Sequence, residues 1–258
     1  MTKNLEQWLE TTNAKLFIKK QYFHHHAFEI INSHKKISDF INTAFNSDIS
    51  ISPRIKRTKN LKSKAIKADD LNIQLRTLLK NNKKDVDIKF EVIEENGVFY
   101  FASDKSAIGG FDFAILNNEI NLLALRNLCF GELQYFDAEH RWNKFLNNNP
   151  ELKEISETII NLDFKGQNLK KNKSEISEPL IVGEIQFGNW ALAYRDFFKV
   201  LKADVQNNID CLIYIVPCDN LEKALSDGIV TFDKTVKIIE EFAKVINVPV
   251  WLIGLDIE

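Results

Sequence analysis

Residues 179–202, PLIVGEIQFGNWALAYRDFFKVLK, read as a buried strand, a tight exit at Gly188-Asn189 and then a helix. Inside the strand two polar residues, Glu184 and Gln186, interrupt an otherwise apolar run. Residues two apart on a strand share a face. Glu184 and Gln186 therefore project together with Val182, while Ile181, Ile185 and Phe187 fill the opposite side. A carboxylate on an apolar strand is costly unless something pairs with it, and a bound cation is one such partner.

Working outward from this stretch, the carboxy-terminal hundred residues run β, β, α, β, α, β. IINLDF (159–164) is read as a strand, followed by the polar loop KGQNLKKNKSEISE. Then come the strand just described, a helix from 190 to about 206, the strand CLIYIVP (211–217), a helix over 231–246 and the final strand VPVWLIGL. Strands separated by helices argue for a mixed, largely parallel sheet with helices on its faces. The fold class is thus α/β, an α+β mixed sheet flanked by helices.

Toward the amino terminus, residues 3 to about 46 read as helical, with Leu5, Trp8 and Leu9 on one edge and Phe28, Ile31, Ile37, Phe40, Ile41 and Phe45 at helix-like intervals. His24-His25-His26 lies in this stretch. Three consecutive helical residues point in three directions and cannot chelate one ion, so the triplet is read as a surface or partly packed helix segment. Further on, DIKFEVIEENGVFYFAS alternates on both sides of Asn96-Gly97, a strong hairpin signal. FDFAIL and INLLAL read as further strands, and Asp137 is placed to cap a helix that ends at Asn149-Pro150.

The 258 residues hold ample core material, with 45% hydrophobic residues and 19 Phe. The net charge of −2 shows no overall basic excess, so a nucleic-acid role requires locally concentrated charge. Residues 54–84 supply such a concentration, with eleven Lys or Arg against only Asp69 and Asp70. Runs like this are either solvated surface or a phosphate-binding element. Cys129, Cys211 and Cys218 are too few and scattered for a disulfide framework, and no pair has metal-ligand spacing. MTKNLEQWLETT lacks the apolar centre of a signal peptide, and no apolar run reaches the roughly 20 residues needed to span a bilayer. A cytoplasmic protein with reduced thiols, no membrane partner and no organic cofactor is expected.

Asp163 falls on the strand before Glu184, with twenty residues between them. Two carboxylates on neighbouring strands can share Mg²⁺, which takes a few carboxylate oxygens and keeps several waters. Such an ion can bind a phosphate oxygen and acidify a water. Asp112, on FDFAIL, is the reserve candidate for the first acid.

An acid followed by an E-X-K-like tripeptide on the adjoining strand is the shared core of the PD-(D/E)XK nucleases, and here the tripeptide is Glu184-Ile185-Gln186. VGEIQFGN, the helix AYRDFFKVL, the strand IDCLIYIVP, the connector LSDGIVTFDKTVKIIEEF and the end VPVWLIGL resemble, in order and spacing, the BglII and BstYI group of type II restriction endonucleases. The resemblance covers roughly residues 160–258. It implies a nuclease core over 106–258, with 1–105 an added helical, basic and hairpin region that clamps DNA or serves dimerisation.

By the same resemblance, Asp163 and Glu184 bind the metal, and Gln186 stands where most of the superfamily has Lys. Neutral Gln cannot act as a general base, so it would orient a water. The family's further polar residue, often Asn, corresponds to Asn148 or Asn149. Arg54, Lys56, Arg57 and Lys59 in the basic run, and Arg195, Lys199 and Lys202 on the helix after the strand, are DNA-binding candidates, for phosphates or base edges. The function implied is Mg²⁺-dependent hydrolysis of phosphodiesters in double-stranded DNA at a short palindrome by a homodimer. The alternatives are a repair or modification-dependent nuclease of the same fold, whose flipped-base pocket the first half would supply, or a DNA-binding protein that does not cut.

Overall fold

A computed structural model describes residues 5–58, 61–83, 86–101, 110–132, 134–161, 179–207 and 209–258. The chain is a mixed α/β protein. Its first elements are α1 (Leu5–Leu9), β1 (Asn13–His24), α2 (Ala27–Ser33), α3 (Lys35–Phe45), β2 (Asp48–Ser50), β3 (Pro53–Thr58), β4 (Leu61–Ile66) and α4 (Ala68–Asn82). There follow β5 (Ile88–Glu95), β6 (Val98–Tyr100), β7 (Phe111–Ile115), α5 (Asn118–Phe130), α6 (Ala138–Asn148) and α7 (Lys153–Ile160). The last are β8 (Ile181–Ile185), α8 (Ala191–Asn207), β9 (Cys211–Pro217), α9 (Asp219–Ala224), α10 (Phe232–Glu241) and β10 (Val250–Ile257). Two compact units divide the chain, one made of residues 1–86, 183–201 and 210–258, the other of 87–182 and 202–209.

In the first unit the strands lie in the order β2-β1-β10-β9-β8. Every residue of β9 and of β10 is buried, as expected of strands flanked on both edges and covered on both faces. These two run parallel, Val250 opposite Leu212 through Leu255 opposite Pro217. The sheet is not largely parallel, however, because β1 runs antiparallel to β10, from Leu16 opposite Ile257 to His24 opposite Val250.

That pairing corrects the helical reading of residues 3–46, since 13–24 form a twelve-residue strand. The free edge of a wholly buried strand must have its N–H and C=O groups satisfied. β1 does this for β10, a demand that no local pattern within 13–24 announces. The histidine triplet falls at the end of β1 and the turn after it. His24 and His25 each donate Nε2–H to the Ile246 carbonyl, at 3.0 and 3.1 Å. Helix α3 does follow its periodicity, burying Ile37, Phe40, Ile41, Ala44 and Phe45. It packs on α4, whose Leu71, Leu75 and Leu79 form the facing stripe.

In the second unit β5 pairs with β6 and with β7, both antiparallel. Asn96 and Gly97 turn the hairpin with φ of 52° and 82°, the two left-handed residues of a type I′ turn. INLLAL is helical, not a strand, and lies in α5. Its side chains are buried nearly all round, so periodicity cannot separate the two readings. The deciding local feature is Asn117, whose side chain accepts from the Ile120 N–H at 3.1 Å and caps the helix. Residues 159 and 160 of IINLDF close helix α7 and are not a strand.

Candidate functional site

Strand β8 is buried along its whole length, and Glu184 within it is 4% exposed. Just beyond it, the Gln186 N–H donates to the Ile215 carbonyl of β9 at 2.9 Å, which fixes the strand's exit. The chain then turns through Gly188 and Asn189. A Cβ at residue 188 would lie 2.8 Å from Gln186 Oε1 and 2.8 Å from Leu192 Cδ1, so glycine permits the close approach. Asn189 Oδ1 accepts from the Ala191 N–H at 3.0 Å and starts α8. Strand, turn and helix are thus set by short-range contacts, and together they lay the first turns of α8 beside the end of β8.

Two residues of α8, Lys199 and Asp196, meet the strand's polar residues, and Arg195 pairs with Asp196. Lys199 directs its Nζ onto Glu184 Oε1 as an ion pair, and the same nitrogen lies 3.8 Å from Asp196 Oδ1. Asp196 has no solvent exposure. It accepts from Gln186 Nε2 at 2.8 Å, from the Tyr214 hydroxyl of β9 at 3.0 Å, and from Arg195 Nη2 at 3.0 Å. The Gln186 amide is engaged at its other end too, Oε1 accepting from the Gly188 N–H at 2.8 Å. Two carboxylates, an ammonium and a guanidinium therefore sit together, with only the Arg195 side chain substantially exposed, at 57%. Burial foremost, and then the negative charges of Asp196 and Glu184, hold the Tyr214 hydroxyl well above the usual phenol range, so it remains a donor.

Glu184 and Gln186 project together, as their spacing requires, but the Gln186 amide is tied to Asp196 and to the main chain at Gly188. Lys199 is not on the exposed surface of the helix. Its side chain is 12% exposed and turned inward, because the buried charge of Glu184 needs a cation more than solvent needs the lysine. Arg195 lies against Asp196. Lys202, in the second unit, is 73% exposed and 3.5 Å from Glu94. Asn148 and Asn149 also belong to that unit, at the end of α6. Asn149 is buried, with its amide donating to the Phe145 carbonyl at 2.9 Å, while Asn148 is exposed. Asp112 is half-buried on β7 of the same unit. Asp163 and Lys59 lie outside the described residues.

The first part of the basic run forms an antiparallel two-stranded ribbon of β3 and β4, with Arg54 opposite Ala65 and Arg57 opposite Lys62, and the run continues into α4. Its base is anchored by Trp8 Nε1, which donates to the Arg54 carbonyl at 3.1 Å and the Ala65 carbonyl at 3.2 Å. Lys56 Nζ donates to the Leu225 carbonyl at 2.7 Å and lies 3.0 Å from Asp227. Arg54 Nη2 donates to Ser226 Oγ at 3.4 Å. Arg57 and Lys62 are exposed.

Reading the sequence alone missed Asp196 and Tyr214. The available signal was an acid within the aromatic helix segment AYRDFFKVL, three residues before Lys199 and so on its face. Among the described residues no three His, Cys, Asp or Glu side chains gather to hold a metal ion. Glu184 nevertheless has the right donor chemistry, a hard carboxylate whose surroundings already accept a positive charge. Among the described residues no helix is long and apolar enough to cross a membrane.

A model of the family described as restriction endonuclease BglII/BglIII matches residues 19–255. No curated protein matches the chain. Among solved structures, restriction endonuclease BglII complexed with a DNA 16-mer is 12% identical, with 93% of this chain and 75% of that one covered and a TM-score of 0.45.

Proposed function

The chain belongs to the BglII/BglIII family of restriction endonucleases, and we propose that it cuts double-stranded DNA at a short palindromic site, as a homodimer, with Mg²⁺ held by Glu184 and Asp163 in a PD-(D/E)XK-like core. As a type II restriction endonuclease it is a site-specific deoxyribonuclease. The observation that carries the site assignment is Glu184, a carboxylate buried on an otherwise apolar strand with a cation beside it.

Bound there, Mg²⁺ would supply charge for a phosphate oxygen and a more acidic water. The chain's own residues prepare that position. Glu184 presents a hard oxygen ligand at the end of a rigid, fully buried strand. The neutral Gln186 amide cannot accept a proton as a general base, and it ties the strand exit to Asp196 on α8. Its role is therefore to keep Glu184 and α8 in register. The β3–β4 ribbon, with Arg57 and Lys62 exposed, is the element through which the amino-terminal region would clamp the phosphate backbone. Two-fold symmetry would let each protomer cut one strand of a palindrome.

Plasmid and defined duplexes incubated with Mg²⁺ test this reading. Discrete fragments are expected from the wild type and none from Glu184→Ala. Parallel digests with Asp163→Asn and Asp112→Asn identify the first acid, with loss expected in Asp163→Asn. Binding without cleavage under every divalent ion would sink the reading, and cutting of methylated DNA alone would make the enzyme modification-dependent.

A further inference from the structure

Glu184 and Lys199 form an ion pair that removes both side chains from solvent, at 6% and 12% exposure. A pair of this kind is retained only where the Coulombic gain and the neighbouring hydrogen bonds offset desolvation. Here two carboxylates neighbour the lysine. One is Glu184 Oε1, and the other is Asp196 Oδ1, 3.8 Å from the same nitrogen. Asp196 is itself held fast by Gln186, Tyr214 and Arg195, so it does not move to follow the ammonium. Lys199 reaches these carboxylates on a long side chain, whereas Asp196 is held by its own hydrogen bonds.

Resting on the reading of Glu184 as a metal-binding carboxylate, we propose that Lys199 is a built-in counter-ion for Glu184. It occupies the carboxylate in the metal-free protein and moves toward Asp196 when a divalent cation binds. The strand tripeptide Glu184-Ile185-Gln186 carries no cation of its own. The positive charge beside the carboxylate therefore comes from α8, on a side chain that can withdraw. Lys199 acts through Glu184 and is a positioning residue. It keeps the carboxylate paired and ordered at a buried location where an unpaired charge is costly. The cost is competition, because a divalent ion must displace an ammonium before it can bind.

Mn²⁺ binding to the full chain without DNA, followed by electron paramagnetic resonance, reads this competition directly. Removal of a unit charge from beside a divalent ion is expected to tighten binding by about tenfold or more in Lys199→Met. Lys199→Arg keeps the charge and should return the affinity toward the wild-type value. Asp196→Asn removes the second seat, so the displaced ammonium is less well accommodated and Mn²⁺ should bind more weakly. Circular dichroism establishes that each variant is folded. A lysine with a merely structural role would lower stability without tightening metal binding, so unchanged or weaker Mn²⁺ affinity in folded Lys199→Met overturns the proposal. Glu184→Gln separates the two levels of the reading. If it leaves Mn²⁺ affinity untouched, the assignment of the metal to Glu184 fails, and the counter-ion role with it. If it abolishes binding while Lys199→Met does not tighten it, only the counter-ion role fails.

Discussion

The charged groups at the junction of β8 and α8 and those on the β3–β4 ribbon belong to the same compact unit, but they are held in opposite ways. At the junction each charge has a directed partner, and Asp196 alone accepts from three side chains. On the ribbon, Arg54 and Lys56 are tied to the segment 225–227, while Arg57 and Lys62 face water. Desolvation explains the difference. A charge without exposure has to be answered by hydrogen bonds and countercharge, and an exposed one is answered by solvent. Buried charges therefore report on geometry, and exposed ones report on the field offered to a partner.

The sharpest way to break that contrast is to remove the buried acceptor. Asp196→Ala should cost on the order of 3–5 kcal/mol, measured by urea unfolding, because Gln186, Tyr214 and Lys199 lose a buried charged partner at once. A loss below about 1 kcal/mol would show that the junction is not pinned in this way.

A smaller effect is expected from Tyr214→Phe, and it depends on pH. At pH 8 the variant should be less stable by about 1.5–3 kcal/mol, the worth of a hydrogen bond to a charged acceptor. The folded state holds the Tyr214 proton above the ordinary phenol value of 10.0, so this contribution is fully present below that value. It is lost as pH rises further, since the unfolded chain releases the proton first. The gap between wild type and variant should therefore narrow above pH 10. Burial likewise pushes the Cys129 thiol up to about 11 and the Cys211 thiol up to about 12 from an ordinary 9.0, so both proteins should weaken together on the alkaline side. Unfolding curves between pH 8 and 11 check the sign.

The smallest stability effect belongs to the ribbon. Arg57→Ala with Lys62→Ala should change unfolding stability by no more than about 0.5 kcal/mol. The same pair should weaken DNA binding and flatten its salt dependence by about one unit of log–log slope for each phosphate no longer neutralised. If stability falls instead while DNA affinity holds, the ribbon is a packing element and not a clamp.

Where a signal is local, the sequence carries it to the right structure. The Asn96-Gly97 hairpin, the apolar strands β9 and β10 and the strand-turn-helix around Glu184 are all legible in the residues themselves. Glu184 stood out because a carboxylate on an apolar strand needs a reason, and that need is visible in the sequence alone. Three matters were not legible. Residues 13–24 become a strand because the edge of β10 needs a partner more than two hundred residues away in the chain. INLLAL becomes a helix because it is buried all round and Asn117 caps it. Lys199 turns inward because Glu184 and Asp196, from two different elements, converge on it. The sequence by itself singled out Glu184 as a side chain whose desolvation cost needs an answer. Only the tertiary structure decided which cation meets that cost, because electrostatic partners and strand neighbours are chosen by proximity in space and not along the chain.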